Sequence, residues 1–252
     1  MAIAIRNKKE IDSMRKPNKI VAQALNLVRE NAKEGVSLDF LNNIADDFIQ
    51  SQGAKASFKG LYGFPKAICL SVNEVIIHGI PNSYKLKKGD ILGVDIGVEY
   101  GGWFGDGAIT FGVGEISEAN QKVIDCSKKV LLSAIDSLKV GMRFKELSAM
   151  IEDLIKSCGF VPLLGFCGHG IGTRPHEEPE IPNFLESPEA KQGPKIRNGM
   201  VFCIEPMVCQ KDGTPKILDD KWSVVAQDGL NGAHYEHTIA MIDSKPVILT
   251  EI

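Results

Sequence analysis

The chain has 252 residues, of which 44% are hydrophobic and 24% charged, and its formal net charge is −3. That length can bury a full core, while the small net charge and scattered basic residues indicate neither a nucleic-acid nor an acidic-membrane partner. We expect no secretory signal and no membrane span, because the start MAIAIRNKKE lacks an apolar run and the longest stretch without Asp, Glu, Lys or Arg, 157–173, contains five glycines.

The chain begins with two predicted amphipathic helices. Asn7 and Glu10 form a capping-box pattern, and apolar residues then recur at helical spacing, with a bend expected at Pro17. The second helix lies within 34–53 and ends at Gly53, because glycine readily adopts the left-handed conformation that stops helices.

The same pattern recurs later in the chain. Residues 34–53 match 140–159 at a shift of 106, with six identities, and Ser117 begins a helix ahead of the second copy. Residues 85–96 match 195–206 at a shift of 110. Chance similarity between generic helices and strands is an alternative for either match alone, but two matches in the same order argue strongly against it. We therefore predict one α+β domain over 1–252, with halves of about 1–115 and 116–252 related by a pseudo-twofold axis.

A carboxylate lies inside a predicted apolar strand, ILGVDIGV, residues 91–98. Strand alternation places Asp95 between Gly93 and Gly97 on one face, opposite the large aliphatic residues. We expect these glycines to leave room for an ion and a substrate. An unpaired carboxylate in such surroundings costs several kcal/mol.

Three further carboxylates fit the same interpretation. Glu205 is the repeat mate of Asp95, while Asp106 and Glu236 lie on predicted strands with only small residues on their own face. Any one of these carboxylates, taken alone, is at least as typical of an acid in a salt bridge or on an edge strand as of a metal ligand. Together, four carboxylates in matched pairs predict two divalent cations, and oxygen ligands with one imidazole suit Mn, Fe, Co or Zn.

Five histidines are candidates for the imidazole. His169 lies between two glycines, which allow close backbone approach, and His176 follows it. His78 precedes the first carboxylate strand much as His176 precedes the second. We expect His237 to point away from the site, and we assign neither His237 nor His234 a direct role.

Six cysteines occur, and none forms a CxxC pair. Most have apolar neighbours. We predict free, reduced, buried thiols in a cytoplasmic protein. They are Cys69, Cys126, Cys158, Cys167, Cys203 and Cys209.

Several motifs together resemble one family, the type I methionine aminopeptidases of the pita-bread fold. The motifs are FCGHGIGTRPH (166–176), NEVIIHGIP (73–81), the two-aspartate pair of the first half, FCIEPM (202–207) and YEHT (235–238). The resemblance covers nearly the whole chain. It implies paired helices packed on a central, mostly antiparallel sheet. It also implies a hydrolase that removes the N-terminal methionine of nascent proteins when the second residue is small, through attack of a metal-bridged water on the scissile carbonyl.

The resemblance also implies roles for individual residues. His78 and His176 contact the substrate, and Glu205 acts in catalysis as well as in metal binding. The metal ligands are Asp95, Asp106, His169, Glu205 and Glu236. The methionine pocket is formed by Phe58, Leu61, Phe64, Cys69 and Trp222.

Some positions depart from the family pattern. Phe58, Leu61 and Phe64 stand where the family often has Cys and Tyr, and Pro175 replaces a bulky apolar residue. These changes keep the pocket apolar but can alter its shape.

Two alternatives remain at this point. One is a proline-specific aminopeptidase of the same fold, although those relatives carry a whole domain ahead of the catalytic half. The other is a catalytically inactive module that binds protein partners, although such modules lose ligands and this chain keeps all of them.

The leading interpretation implies two divalent metal ions per chain, either Co, Mn, Fe or Zn. The expected partners are N-terminal Met-Xaa peptides and, transiently, the ribosome, without a membrane or a nucleic-acid motif. The expected state is a cytoplasmic monomer.

Overall fold

A computed structural model describes residues 2–185 and 193–251. Met1, residues 186–192 and Ile252 of the predicted domain lie outside the described residues. Within the described ranges the chain forms four α-helices and a short 3₁₀ turn at Leu61–Gly63. The helices are α1 Lys8–Asn31, α2 Leu38–Ser51, α3 Glu118–Ser137 and α4 Phe144–Ser157.

The helix starts follow the capping residues of the sequence. The Glu10 backbone N–H donates to Asn7 Oδ1 at 3.1 Å, and Glu10 Oε2 accepts from the Asn7 N–H at 2.7 Å, which confirms the capping box. The Ser117 hydroxyl caps α3 in the predicted way. Pro17 lies buried inside α1, which continues through it as one helix.

The strands within the described residues are short except for a central pair. They are β1 Lys55–Ala56, β2 Cys69–Val72, β3 Val75–Ile77, β4 Ile91–Tyr100, β5 Trp103–Gly112, β6 Val161–Pro162, β7 Cys167–Gly170, β8 Glu177–Pro182, β9 Val201–Ile204, β10 Met207–Cys209, β11 Pro215–Ile217, β12 Val224–Ala226, β13 Gly232–His234, β14 Glu236–Ile242 and β15 Lys245–Ile248.

One large sheet contains strands of both halves. Its order is β1-β4-β5-β14-β9-β7-β8, with β2 also paired to β4 and β15 to β14. The pairings are antiparallel, so the predicted mostly antiparallel sheet is confirmed. Strands β5 and β14 meet in the middle, which brings the two halves together along one seam.

Each helix pair covers its own end of this sheet. Helices α1 and α2 pack on the aliphatic face of β4, where Leu92, Val94 and Ile96 are buried in one apolar cluster. Helices α3 and α4 pack on the corresponding face of β9 and β14, through residues such as Phe202 and Ile239. This burial on one side leaves the opposite side of β4, β5, β9 and β14 free to carry polar groups.

Two small sheets border that opposite side. One has the order β13-β10-β6 and the other β11-β12-β3. Strand β3 ends at Ile77, so the second small sheet delivers His78 to the edge of the polar side.

Candidate metal centre and peptide cavity

Three carboxylates converge because of strand register. Asp95 lies opposite Ala108 across the β4–β5 pair, Asp106 lies opposite Gly97, and Glu236 of β14 also lies opposite Ala108. Asp95, Asp106 and Glu236 each offer an oxygen within 4.8 Å of the others. The small side chain of Ala108 therefore sits among three acids that come from three adjacent strands.

Glu205 and His169 extend this group from the second half. Glu205 follows β9, whose last residue, Ile204, pairs with His237, so Glu205 lies beside Glu236. His169 Nε2 lies 3.6 Å from Glu205 Oε1 and 4.0 Å from Glu236 Oε1. The other ring nitrogen, Nδ1, is 3.0 Å from the Gly170 carbonyl, an arrangement that orients Nε2 toward the carboxylates.

The glycines around His169 have the predicted role. A Cβ on Gly168 would come within 2.4 Å of the Cys203 carbonyl oxygen, and one on Gly170 within 2.1 Å of the Glu178 carbonyl oxygen. Only glycine therefore lets β7 approach its neighbours closely enough to place the imidazole.

The two glycines beside Asp95 differ in the space next to them. A Cβ on Gly97 would meet Ser57 Oγ at 2.2 Å and Phe58 Cε1 at 2.5 Å, so these side chains fill the space where room for an ion was predicted, and the prediction is wrong at Gly97. A Cβ on Gly93 would lie 3.4 Å from Ser71 Cβ and 3.5 Å from Thr110 Oγ1, which are ordinary contact distances, so the predicted room beside Gly93 stays a prediction.

The four carboxylates repel one another and are poorly solvated. Burial raises the pKa of Asp95 from 3.8 to about 6. Burial, and then the charges of Glu236 and Asp95, raise the pKa of Asp106 well above its ordinary value. The pKa values of Glu205 and Glu236 are raised for the same reasons, burial first. Without a cation the group therefore tends to hold protons.

A cation fits these residues. Asp95 Oδ1 and Glu236 Oε1 are shielded from solvent, and neither accepts a hydrogen bond. Burying such atoms without a partner is costly. Burial lowers the pKa of His169 to about 3, which keeps its ring neutral, as metal coordination requires. A donor set of carboxylates with imidazole suits a first-row divalent metal.

Two further histidines lie at the mouth of this group. His78 has φ +59° and packs edge-on against Phe166, with ring centroids 5.7 Å apart. Burial lowers its pKa to about 4. The His176 ring lies 4.5 Å from the His169 ring at an interplanar angle of 85°. Both side chains face the cavity, where they can donate to a bound peptide.

The segment that carries His176 is held by a charge pair. Glu177 Oε1 accepts hydrogen bonds from the backbone N–H groups of Thr173 and Arg174, at 2.9 and 3.2 Å. Arg6 Nη2 binds the same carboxylate at 2.8 and 2.6 Å, and its guanidinium lies over the Trp103 ring. The start of the chain therefore helps to fix the turn that precedes His176.

An apolar wall adjoins the metal-ligating side chains in one cavity of about 470 Å³. Phe64 packs edge-on against Trp222, with centroids 5.1 Å apart. All of the site residues predicted from the sequence line this cavity. They are Phe58, Leu61, Phe64, Cys69, His78, Asp95, Asp106, His169, His176, Glu205, Trp222 and Glu236. Pro175 is not among the described residues that line it.

Two residues of this region were not predicted. His234 Nε2 lies 3.4 Å from Glu205 Oε2, and Tyr62 stacks on His176 with centroids 6.2 Å apart. His234 is two positions from Glu236, so strand alternation could have placed both on one face. His237 points away as predicted, with Nδ1 2.8 Å from Thr250 Oγ1.

All six cysteines are free thiols, and four of them are buried. Among the described residues, the helices are too short or too polar to cross a bilayer.

Comparison with known proteins places this arrangement among metallopeptidases. The family model described as metallopeptidase family M24 matches residues 12–243. The chain is 58% identical to the methionine aminopeptidase of Helicobacter pylori strain J99 over 252 residues, covering 100% of both chains. It is 40% identical to methionine aminopeptidase 1 of Bacillus subtilis strain 168, covering 99% of this chain and 100% of that protein.

Solved structures give the same result. The crystal structure of the methionine aminopeptidase from Thermotoga maritima aligns with a TM-score of 0.95 and 36% identity, covering 100% of both chains. The prolidase from Pyrococcus furiosus aligns with a TM-score of 0.79 and 22% identity, covering 98% of this chain but 65% of that one, and so shows the shared fold alone.

Proposed function

The chain belongs to metallopeptidase family M24, and from this we infer that it is a methionine aminopeptidase, a hydrolase that removes the N-terminal methionine from peptides. The observation that carries the inference is a single cavity in which a group of buried carboxylates adjoins an apolar wall. The carboxylates suit a metal and the wall suits a methionine side chain. Prolidases share the fold, but this chain covers only 65% of the length of the Pyrococcus furiosus prolidase.

The enzyme uses a divalent metal, and we propose two ions per chain. Five residues would hold them: Asp95, Asp106, His169, Glu205 and Glu236. Asp106 and Glu236 come from different halves and lie at the central seam, so we assign them to both ions. When bound, the ions neutralise the four carboxylates, lower the pKa of water and polarise the scissile carbonyl. Co, Mn, Fe and Zn all suit this donor set.

The proton transfers are assigned to Glu205. Its carboxylate lines the cavity beside His169, so it lies next to both the proposed metal ligands and the space for a peptide. A carboxylate of this kind can accept a proton from the attacking water and deliver it to the leaving amine.

The two histidines at the mouth orient the peptide. We assign His176 to the scissile carbonyl oxygen, where its N–H would stabilise the developing negative charge. We assign His78 to a hydrogen bond with the peptide backbone. Both side chains line the cavity, and the Arg6–Glu177 pair fixes the turn before His176.

The pocket residues explain why methionine is selected. Phe58, Leu61, Phe64, Cys69 and Trp222 present apolar and sulfur-containing surface, which suits a flexible thioether. We place the second residue of the substrate beside the His78 and His176 side chains, which both line the cavity and would leave it little space. We therefore expect the second residue of the substrate to be small.

Peptide cleavage tests this function. Protein loaded with cobalt or manganese should cleave Met-Ala-Ser, leave Met-Lys-Ser almost untouched and not cleave Xaa-Pro-Ala peptides. Metal analysis of the same preparation should give two ions per chain. Preference for Xaa-Pro-Ala would favour the prolidase function. Failure to bind metal or to cleave any of these peptides would instead support an inactive binding module.

The setting of the activity is a separate proposal. Both halves line one cavity, so we propose that the chain acts as one catalytic domain. Nascent chains are the substrates, so we propose a cytoplasmic monomer that contacts the ribosome transiently.

A further inference from the structure

One buried histidine beside the proposed metal centre has an unsatisfied ring nitrogen. His234 is 3% exposed, and its Nε2 makes no hydrogen bond. The same nitrogen lies 3.4 Å from Glu205 Oε2. A buried polar atom without a partner is uncommon in folded proteins and indicates an absent ligand.

The position of this histidine is set by strand β5. The His234 backbone N–H donates to Thr110 Oγ1 at 3.0 Å, and the Thr110 hydroxyl donates to the His234 carbonyl at 2.8 Å. The neighbouring Tyr235 hydroxyl donates to the Thr110 carbonyl at 2.7 Å. Two hydrogen bonds therefore hold the His234 backbone, and a third holds the next residue, to the strand that carries Asp106.

The contacts of Glu205 are similar on its two sides. Oε1 lies 3.6 Å from His169 Nε2, and Oε2 lies 3.4 Å from His234 Nε2. Two donors each about 2.1 Å from one tetrahedral ion are about 3.4 Å apart. Glu205, His234 and Glu236 also form a group whose ligand atoms all lie within 4.8 Å of one another. The spacing at His234 thus equals that expected for donors that share an ion.

We propose that His234 Nε2 is an additional protein ligand of the metal centre, on the Oε2 side of Glu205. The inference rests on the metal centre proposed above and adds a second imidazole to it. A simple hydrogen bond to Glu205 explains the geometry less well, because N–H···O hydrogen bonds measure about 2.7–3.2 Å.

Variants at His234 separate the two explanations. His234→Gln keeps a side-chain donor for Glu205 but removes the imidazole. His234→Asn provides a second, smaller replacement in case glutamine does not fit. His237→Gln is the matched control, since it makes the same change on the following strand at a partly buried histidine whose Nδ1 contacts Thr250. Thermal unfolding of each metal-free variant should show a single transition near that of the wild type.

The measurement is proton NMR of the cobalt-loaded protein in water. A ring N–H of an imidazole bound to Co²⁺ gives a strongly shifted signal that disappears in deuterium oxide. We expect two such signals in the wild type and in His237→Gln, from His169 and His234, and one in both His234 variants. Calorimetric titration with Co²⁺ should show one ion bound at least about tenfold more weakly in the His234 variants.

The outcomes distinguish this inference from the function it rests on. Wild-type protein that binds no cobalt would overturn the metal centre itself, and with it the role of His234. Wild-type protein that binds cobalt but shows one exchangeable signal, or His234→Gln with wild-type signals and affinity, would overturn only the ligand role of His234.

Discussion

The cavity has two sides, and they differ in whether contacts within the protein alone satisfy their buried groups. On the metal side, Asp95 Oδ1 and Glu236 Oε1 are buried without a hydrogen-bond partner, and burial, followed by neighbouring charges, raises the pKa values of Asp106 and Glu236. On the pocket side, Phe64 and Trp222 pack edge-on, as aromatic rings prefer.

The two sides of the cavity therefore depend on different interactions. The metal side needs a bound ion to neutralise its buried carboxylates. Removing one carboxylate should therefore abolish activity, but it should also relieve charge repulsion in the metal-free protein. The pocket side is stabilised by its own packing, so changes there should alter substrate affinity and leave the metal in place. Substitutions on the two sides should therefore have separable effects.

The largest effect is expected for Asp106→Asn. Asp106 lies between Asp95 and Glu236, so the change removes a ligand from both proposed ions. An asparagine oxygen can still accept from the Gly107 N–H, which Asp106 Oδ1 does at 2.9 Å, so the fold should survive. Cleavage of Met-Ala-Ser at saturating metal should fall below detection, while the Tm of the metal-free protein should not decrease. Asp153→Asn, at an exposed site on α4, is the control, and measurable turnover by Asp106→Asn would refute its assignment.

The next largest effect is expected at the histidines of the cavity mouth. His176→Ala and His78→Ala should bind metal normally and lose about 10²–10³ in kcat, since each removes a donor to the reacting peptide. Glu205→Gln should lose more, with weaker metal binding as well. Steady-state kinetics at saturating metal measure this, with His237→Ala as the control outside the cavity. If His176→Ala raised KM and left kcat unchanged, His176 would bind the ground state rather than the transition state.

A pH-dependent effect on stability is expected at Asp95. Its pKa is raised from 3.8 to about 6, so the folded state holds this proton more tightly than the unfolded chain does. Deprotonation of Asp95 therefore lowers the free energy of unfolding as the pH rises from about 4 to about 6. The folding equilibrium constant falls by up to about a hundredfold, and the loss is constant at higher pH.

Chemical denaturation of chelator-treated protein tests this. Asp95→Asn should gain stability relative to the wild type between about pH 4 and 6 and keep that advantage at higher pH. With saturating metal the order should reverse, because the wild type then binds the ion with an extra ligand. An advantage of Asp95→Asn that does not change with pH would contradict the predicted direction.

The smallest effect is expected on the pocket side. Trp222→Ala removes a ring that packs against Phe64, and an aromatic pair contributes about 0.5–1.5 kcal/mol beyond burial. KM for Met-Ala-Ser should rise about tenfold, with the bound metal unchanged and kcat close to that of the wild type. Trp222→Phe keeps an aromatic ring at this place and is the matched control. Loss of metal from Trp222→Ala would show that the two sides of the cavity are not independent.

The sequence predicted those features that depend on local pattern. Strand alternation placed Asp95 opposite the aliphatic face of β4, and the internal repeat placed Glu205 as its mate. The capping residues Asn7 and Ser117 marked two helix starts that the structure confirms. Resemblance to the family added the pocket residues, all of which line the cavity.

The failures occurred where a residue's role depends on a distant segment. Gly97 makes space for Ser57 and Phe58 rather than for an ion, and the strand pattern gives no information about these neighbours. The sequence also did not place His234 beside Glu205, because that position depends on hydrogen bonds to Thr110, 124 positions away in the chain.

The α+β class, the repeat, the carboxylate strands and the family could all be predicted from the sequence. Periodicity and spacing record these features, because side-chain direction along a strand or helix depends on the chain's own geometry. The sequence did not show which acids lie within 4.8 Å of one another, that His234 Nε2 lies 3.4 Å from Glu205 Oε2, or that Arg6 binds Glu177, 171 positions away. Those arrangements depend on register between strands and on packing between segments far apart in the chain, which no local pattern records.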